Sequence, residues 1–171
     1  HRVLSIGAEP KKIIFSGVGK TKNEIQQRIN SGILSFNVES ESELYRIEKI
    51  ADGIGSPASI SIRINPDIDS GGHDYITTGR KGDKFGISDT GKVIDLCKHA
   101  HQSKNLKIVG LACHIGSQIL DLDGFMRSAD KIFELADQLE NFDISLEFLD
   151  LGGGLGISYE NEVPPSPIDL I

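Results

Sequence analysis

The stretch Leu149-Asp150-Leu151-Gly152-Gly153-Gly154-Leu155-Gly156 decides how the rest of the sequence is interpreted. An apolar run that ends at Leu151 leads directly into three consecutive glycines. Because glycine has no Cβ, the backbone N–H groups of such a turn can approach a ligand closely, and a phosphate group is a typical ligand. A tight turn that leaves a core strand also uses glycine, so the motif alone leaves both interpretations open.

The composition is that of one globular domain without a nucleic-acid or membrane partner. The chain has 171 residues, of which 38% are hydrophobic and 25% charged, and its net charge is -7. The basic residues are dispersed, no apolar run approaches the roughly 18 residues of a membrane span, and no signal-peptide pattern occurs. Cys97 and Cys113 have neither a metal-binding nor a disulfide-framework spacing, which indicates no metal site and favours a reducing, cytoplasmic compartment.

Both ends of the sequence suggest a piece of a longer protein. The chain opens at His1-Arg2-Val3-Leu4, which is typical of the last turn of a helix. It closes at Ile171, just after the proline-rich segment 163–167. We therefore expect neither end to be a natural domain boundary.

Short apolar runs alternate with amphipathic stretches along the chain. The apolar runs predict strands at 12–16, 33–38, 59–64, 107–113 and 145–151. The amphipathic stretches predict helices at about 22–31, 40–51, 90–102 and 122–139, and the first two begin with capping boxes at Thr21 and Ser40. Strands that are apolar throughout and alternate with helices indicate a parallel sheet.

The predicted helix at 122–139 has the clearest 3.6-residue periodicity. Its interior face is predicted to contain Phe125, Met126, Ala129, Ile132, Phe133, Ala136 and Leu139. The long polar stretch at 67–86 is predicted to be a loop of the functional kind.

Two architectures fit this order of elements. One is a doubly wound open sheet, and the other is a stretch of a (β/α)8 barrel. A full barrel needs about 250 residues, so five strands are about three too few. In both architectures the ligand binds beyond the carboxyl ends of the strands.

Chemically rich side chains follow successive strands at that edge. His114 is either a histidine that caps its strand or a flat ring that stacks on an aromatic ligand or donates a proton. Ser117 is either a turn residue or a phosphate donor. Arg63 lies on an otherwise apolar strand, so it needs an anionic partner, either a ligand or a carboxylate of the site. Asp150 is placed to orient the glycine loop, and Lys20 is expected at a solvated helix start.

Seven segments together resemble the diaminopimelate decarboxylase family. They cover nearly the whole chain in the same order, and the Lys-Phe-Gly, His-Ile-Gly-Ser and triple-glycine segments are also shared, in variant form, with ornithine and arginine decarboxylases. The segments are Phe15-Ser16-Gly17-Val18-Gly19-Lys20-Thr21, Phe36-Asn37-Val38-Glu39-Ser40, Arg63-Ile64-Asn65-Pro66-Asp67, His73-Asp74-Tyr75-Ile76-Thr77-Thr78-Gly79, Lys84-Phe85-Gly86-Ile87, His114-Ile115-Gly116-Ser117-Gln118 and Asp150-Leu151-Gly152-Gly153-Gly154-Leu155-Gly156.

The resemblance implies an α/β fold, the alanine-racemase-like (β/α)8 TIM barrel. Residues 1–171 would form a single incomplete barrel domain, equivalent to about strands three to seven, with the C-terminal β domain outside the chain. The resemblance also implies pyridoxal 5'-phosphate as cofactor and a small amino-acid substrate. The parent protein, expected to be a homodimer, would convert meso-diaminopimelate to L-lysine and CO2.

The resemblance assigns roles to individual residues. It implies that His114 stacks on the pyridine ring as the catalytic residue and that Arg63 lies beside that ring. It implies that Gly152, Gly153 and Gly154 bind the phosphate, with Ser117 nearby.

The family's Schiff-base lysine lies in a Tyr-Ala-x-Lys segment, and the glutamate that pairs with the pyridine nitrogen lies in a Glu-Pro-Gly-Arg segment. Neither segment occurs in this sequence. We therefore expect the isolated chain to be inactive. A related ornithine, arginine or carboxynorspermidine decarboxylase, or a non-enzymatic cofactor- or phosphate-binding module, stays open as an alternative.

Overall fold

Parallel strands form one sheet in which each strand pairs with the next strand of the chain. The computed structural model describes residues 2–68 and 85–170. Within them the strands are β1 Ile14–Phe15, β2 Ser35–Val38, β3 Ala58–Arg63, β4 Leu106–Ala112 and β5 Phe148–Asp150, in the spatial order β1-β2-β3-β4-β5. A doubly wound sheet reverses its strand order at a switch point, and this sheet does not. The fold is therefore a curled half barrel, which confirms the barrel and eliminates the open-sheet alternative.

The helices alternate with these strands. They are α1 Arg2–Ser5, α2 Lys22–Ser31, α3 Glu41–Ile54, α4 Thr90–Gln102, α5 Asp123–Glu140 and α6 Pro167–Leu170. The bounds of α2 and α4 agree with the prediction, and α1 confirms the predicted helical turn at the start of the sequence. Among the described helices, none is both long enough and apolar enough to cross a membrane.

Local hydrogen bonds set the ends of α2. The Glu24 N–H donates to Thr21 Oγ1 at 3.3 Å, and the Thr21 N–H donates to Glu24 Oε2 at 2.9 Å, so the capping box is complete. Gly32 ends the helix in the left-handed region at φ +63°. Ile25 and Ile29 of this helix are buried.

The second predicted capping box is only half formed. Ser40 Oγ accepts the Glu43 N–H at 3.3 Å, which confirms Ser40 as the N-cap. However, the Glu43 carboxylate does not return a bond to Ser40; it accepts the N–H of Glu39 at 2.8 Å and binds Lys20. The reciprocal bond was wrongly predicted because a buried cation competes for the carboxylate.

The hydrophobic core lies between the sheet and the helices. Its fully buried side chains include Phe36 and Ile60 of the strands, Leu44 and Ile47 of α3, and Leu139 of α5. Parallel strands with helical crossovers bury such residues on both faces. This packing fixes the sheet and therefore the relative positions of the strand ends.

The predicted interior face of α5 is partly wrong. Met126 is 64% exposed and Phe133 is 50% exposed, whereas Ser128 and Leu135 are buried. Neighbouring helical residues point about 100° apart, so the face set by Phe125 and the residues at helical spacing from it excludes the next residue along the chain. Met126 and Phe133 were assigned to this face because they are hydrophobic, although each directly follows a residue of the face or lies beside one.

The first and last strands are shorter than predicted. A 3-10 turn at Pro10–Lys12 replaces the start of the predicted run at 12–16, and β5 covers only Phe148–Asp150 of the predicted run at 145–151. Most of the predicted loop at 67–86 lies outside the described residues. The chain returns beside β3, where the Ile87 N–H donates to Arg63 O at 2.9 Å and the Asn65 N–H donates to Ile87 O at 3.0 Å.

Substitution of two glycines tests the sheet packing. Gly110 pairs with Phe148 across β4 and β5, and a Cβ at position 110 would lie 2.8 Å from the Phe148 ring. We expect Gly110→Ala to lower the free energy of unfolding by about 1–3 kcal/mol through overpacking. The control Gly53→Ala, at an open position in α3, should raise it by up to about 1 kcal/mol through helix propensity. Urea denaturation measures both, and equal midpoints would contradict the packing described.

Candidate active site

The carboxyl ends of the parallel strands surround a small cavity. It has a volume of about 230 Å³ and is lined by Ser16, Asn37, Arg63, Cys113, His114, Asp150 and Gly152. The sheet thus brings together His114, Arg63 and the first glycine of the loop, as the sequence predicted. Burial raises the pKa of the Cys113 thiol to about 11, so this cysteine is not a nucleophile at neutral pH.

His114 is half-buried, and its contact differs from strand capping. Its Nδ1 accepts the N–H of Gly153 at 3.3 Å, so the ring bonds the glycine loop of the neighbouring strand. Burial lowers the pKa of His114, and the nearby Arg63 charge lowers it further, while Asp150 acts in the opposite direction. These shifts favour the neutral imidazole, and because Nδ1 accepts the Gly153 N–H, the proton of the neutral ring belongs on Nε2.

The three glycines of the loop are not equivalent. Gly152 has φ +77°, and a Cβ there would lie 2.6 Å from Cys113 O. Gly154 has φ +105°, and a Cβ there would overlap Gly116 O. A Cβ at Gly153 would meet nothing within 4 Å. Close backbone packing against the 113–117 segment therefore requires glycine at 152 and 154 only.

The N–H groups of this loop also differ. The Gly152 N–H donates to Asp150 Oδ1 at 2.9 Å, and the Gly153 N–H donates to His114. The Gly154 N–H has no hydrogen-bond acceptor among the described residues. Ser117 is exposed, and its Cα lies 3.2 Å from where a Gly154 Cβ would be. An exposed serine and an available N–H therefore lie close together beside the glycine loop.

A chain of hydrogen bonds connects the barrel interior to the glycine loop. Ser35 Oγ donates to Ser61 Oγ at 3.0 Å, and Ser61 Oγ donates to Asn37 Oδ1. Asn37 Nδ2 then donates to Asp150 Oδ2 at 3.2 Å. Because the other Asp150 oxygen accepts the Gly152 N–H, this chain orients the loop, as predicted for Asp150.

Arg63 has the carboxylate partner that its position on an apolar strand required. Its Nη1 lies 3.0 Å and 3.1 Å from the two carboxylate oxygens of Glu39. The Arg63 side chain is 12% exposed and that of Glu39 is 3% exposed. The Phe85 ring lies 5.4 Å from the guanidinium. Sequence reasoning did not identify either contact, because both join residues that are distant along the chain.

Lys20 is not at a solvated helix start, which corrects the prediction. Its side chain is 1% exposed, and Nζ lies 3.1 Å and 3.2 Å from the Glu43 oxygens. It also donates to Gly17 O at 2.6 Å and to Asn37 O at 2.7 Å. Burial lowers the pKa of Lys20, and the Glu43 carboxylate opposes this shift. The adjacent cap at Thr21 suggested exposure, whereas the lysine points back toward the strand ends.

These features define the class of protein. A half barrel of parallel strands with a glycine loop and a polar cavity at the strand ends is part of a (β/α)8-barrel protein with a ligand site at its carboxyl face. Residues 1–171 match the family described as pyridoxal-dependent decarboxylase, pyridoxal binding domain, and the chain belongs to this family.

Two curated relatives of this chain are bacterial diaminopimelate decarboxylases. The chain is 48% identical to diaminopimelate decarboxylase of Neisseria meningitidis over 164 residues, which are 96% of this chain and 40% of that protein. It is 46% identical to the Haemophilus influenzae diaminopimelate decarboxylase over 169 residues, which are 99% of this chain and 40% of that protein. The chain therefore spans about two fifths of the length of these relatives.

Two solved decarboxylase structures superpose on this chain. The Helicobacter pylori diaminopimelate decarboxylase complexed with L-lysine superposes with a TM-score of 0.95 at 44% identity, covering 99% of this chain and 43% of that one. An arginine decarboxylase of Paramecium bursaria Chlorella virus superposes with a TM-score of 0.74 at 23% identity, covering 90% of this chain and 38% of that one. This second likeness shows the fold alone.

The protonation of His114 can be tested directly. We expect its NMR titration midpoint to lie below 6.5. As the pH drops from 6.5 toward that midpoint, the unfolded chain takes up a proton that the folded chain does not, so folding stability falls. Arg63→Met should raise the His114 pKa, because a nearby positive charge is removed. Lys104→Met, at the amino end of β4, should leave it unchanged. A wild-type midpoint above 6.5 would contradict this electrostatic description.

Proposed function

We propose that this chain is the cofactor-binding segment of a diaminopimelate decarboxylase. The observation that carries the proposal is the alignment of nearly the whole chain with curated enzymes of that name at more than two fifths identity. The parent protein would remove the carboxylate at the D-configured carbon of meso-diaminopimelate and release L-lysine and CO2. Ornithine and arginine decarboxylases are less favoured, because the solved arginine and lysine/ornithine decarboxylases are only 23% identical to this chain.

The site residues fit pyridoxal 5'-phosphate. At one end, the available Gly154 N–H and the exposed Ser117 hydroxyl supply donors for a phosphate. The close packing at Gly152 and Gly154, which a side chain would obstruct, supports a role for the loop as a phosphate cradle. The N–H groups of Gly152 and Gly153 contribute by fixing the loop through Asp150 and His114. When bound, the cofactor supplies an electron sink for the bond that breaks.

His114 and Arg63 would bind the ring of the cofactor. A neutral imidazole can stack on a flat pyridine ring. If the pyridine nitrogen is protonated, a neutral imidazole also avoids the repulsion between two positively charged rings. The bond from Gly153 to Nδ1 holds the imidazole in one tautomer and orientation. Arg63, fixed by Glu39, would lie beside the ring and exclude water from it.

Lys20 does not serve as the amine that the cofactor needs. Its ammonium group donates to Gly17, Asn37 and Glu43, so its protons are engaged. Because neither the Tyr-Ala-x-Lys nor the Glu-Pro-Gly-Arg segment occurs in this sequence, we propose that the isolated chain is inactive. Within the parent protein the strands β1 to β5 would be the third to seventh of the barrel, and the parent would be a homodimer.

The buried free thiols Cys97 and Cys113 favour a cytoplasmic location.

The activity is tested on the full-length protein that contains these residues. We expect CO2 release from meso-diaminopimelate in the presence of pyridoxal phosphate, with L-lysine as the product. Ornithine, arginine and carboxynorspermidine are the comparison substrates. Preferred turnover of one of them would overturn the substrate assignment, and cofactor binding without turnover of any would favour a binding module.

The glycine loop offers a matched pair of variants. We expect Gly154→Ala to weaken pyridoxal phosphate binding by about tenfold or more, because the loop must move away from Gly116 and the phosphate loses a donor. Gly153→Ala should change the affinity by less than about threefold, since nothing lies near its Cβ. Fluorescence titration of folded variants measures both. Equal losses at the two positions would argue against this cradle.

A further inference from the structure

Two contacts restrict the orientation of the Arg63 guanidinium at the cavity wall. Its Nη1 donates to the Glu39 carboxylate oxygens, and its central carbon lies 5.4 Å from the centre of the Phe85 ring. Gly86 has φ +79° and packs so closely that a Cβ would lie 3.0 Å from the Ile64 carbonyl carbon, which fixes the chain directly after Phe85. Nη2 and Nε of Arg63 donate to no described residue.

Glu39 is itself fixed through both its side chain and its backbone. Its Oε1 accepts the Gly17 N–H at 3.1 Å, and its own N–H donates to Glu43 Oε2 at 2.8 Å. Gly17 follows β1, and Glu39 follows β2. The carboxylate that binds Arg63 is therefore anchored to the ends of two strands.

Lys20 closes these contacts into a ring. It donates to Gly17 O and to the Glu43 carboxylate, so Gly17 is bound at its N–H by Glu39 and at its C=O by Lys20. The ring joins the segments that follow β1 and β2, and the Arg63–Glu39 pair connects it to the end of β3. A displacement of the segment after β1 therefore breaks hydrogen bonds made by the segment after β2.

The net stability of these ion pairs does not account for the arrangement. Moving charged groups out of water costs much of what their attraction returns, and buried pairs are often replaceable by apolar residues without loss. Here two such pairs, Lys20–Glu43 and Arg63–Glu39, are joined by the Glu39 N–H that donates to Glu43, and Arg63 lines the cavity. What they supply is a fixed direction for the guanidinium.

We propose that Glu39 is a positioning residue, which, through the ring with Gly17, Glu43 and Lys20, orients Arg63 toward the cofactor. The inference rests on the proposed function only for the identity of that ligand. Glu39 acts through Arg63 and does not itself touch the cofactor. The Lys20–Glu43 pair supports Glu39 and has no separate role in binding.

The first test needs no cofactor. In ¹⁵N NMR, the Arg63 Nη1–H signals should be ordered and slow to exchange in the wild-type chain, because Nη1 donates to Glu39. They should become mobile in Glu39→Gln, which keeps the shape and the acceptor for Gly17 but loses the charge. Glu39→Asp should restore part of the order. The control Glu147→Gln, which breaks the exposed Lys107–Glu147 pair at the amino end of the sheet, should change nothing. Unchanged Arg63 order in Glu39→Gln would overturn the proposal.

The second test separates positioning from direct binding. Glu39→Gln should weaken pyridoxal phosphate binding by about tenfold when Arg63 is present and by less than about twofold in the Arg63→Met background. Equal losses in both backgrounds would mean that Glu39 acts on the ligand itself, and no loss in either would also contradict the proposal. Circular dichroism verifies that each variant is folded.

The two tests distinguish the two proposals. If the wild-type chain and the full-length protein bind no pyridoxal phosphate, the proposed function fails, while the NMR result still decides whether Glu39 orients Arg63. If both bind it and Arg63 order is insensitive to Glu39, the proposed function stands and this inference fails.

Discussion

The ion pair between Lys20 and Glu43 is the interaction on which the geometry of the strand ends depends. An ammonium group has three hydrogens, and the structure places acceptors for them on Gly17, Asn37 and Glu43. These acceptors belong to three separate stretches of chain, so one buried cation fixes all of them together. An apolar residue of similar size would remove this donor from the carbonyl groups of Gly17 and Asn37 and would remove the buried cation from the Glu43 carboxylate. The loops after β1 and β2 thus depend on this lysine for their conformation.

A second, uncharged network reaches the site from the barrel interior. It runs from Ser35 through Ser61 and Asn37 to Asp150. Asp150, which lines the cavity, is its only charged member. Hydroxyl and amide groups cost less to bury than ions, which suits them to the interior. Asn37 belongs to both networks, because its C=O accepts from Lys20 and its side chain donates to Asp150. The orientation of the glycine loop after β5 and that of Arg63 at the end of β3 are therefore coupled through one residue.

The parts of this structure that local chemistry determines could be predicted from the sequence. The cap at Thr21 gave the start of α2. The order of strands and helices gave a parallel sheet with His114 and the glycines at its carboxyl edge, and the family resemblance favoured the barrel over the doubly wound sheet. The burial of Lys20 and its pairing with Glu43 could not be predicted, because they depend on how two loops meet in space. The same holds for Glu39 and Phe85 around Arg63. Met126 was misplaced for a different reason, since hydrophobicity does not show which of two adjacent apolar residues faces the core.

The three consecutive glycines look like one motif in the sequence, yet they have different physical roles. Gly152 and Gly154 are required by positive φ angles and by backbone groups that leave no room for a side chain, whereas Gly153 is sterically free. The N–H groups divide differently, since those of Gly152 and Gly153 bind Asp150 and His114 and that of Gly154 is available. A loop that only cradled an anion would leave all three donors open. Here two of them order the loop and the imidazole before a ligand arrives, so the entropy cost of arranging the site is met by folding rather than by binding.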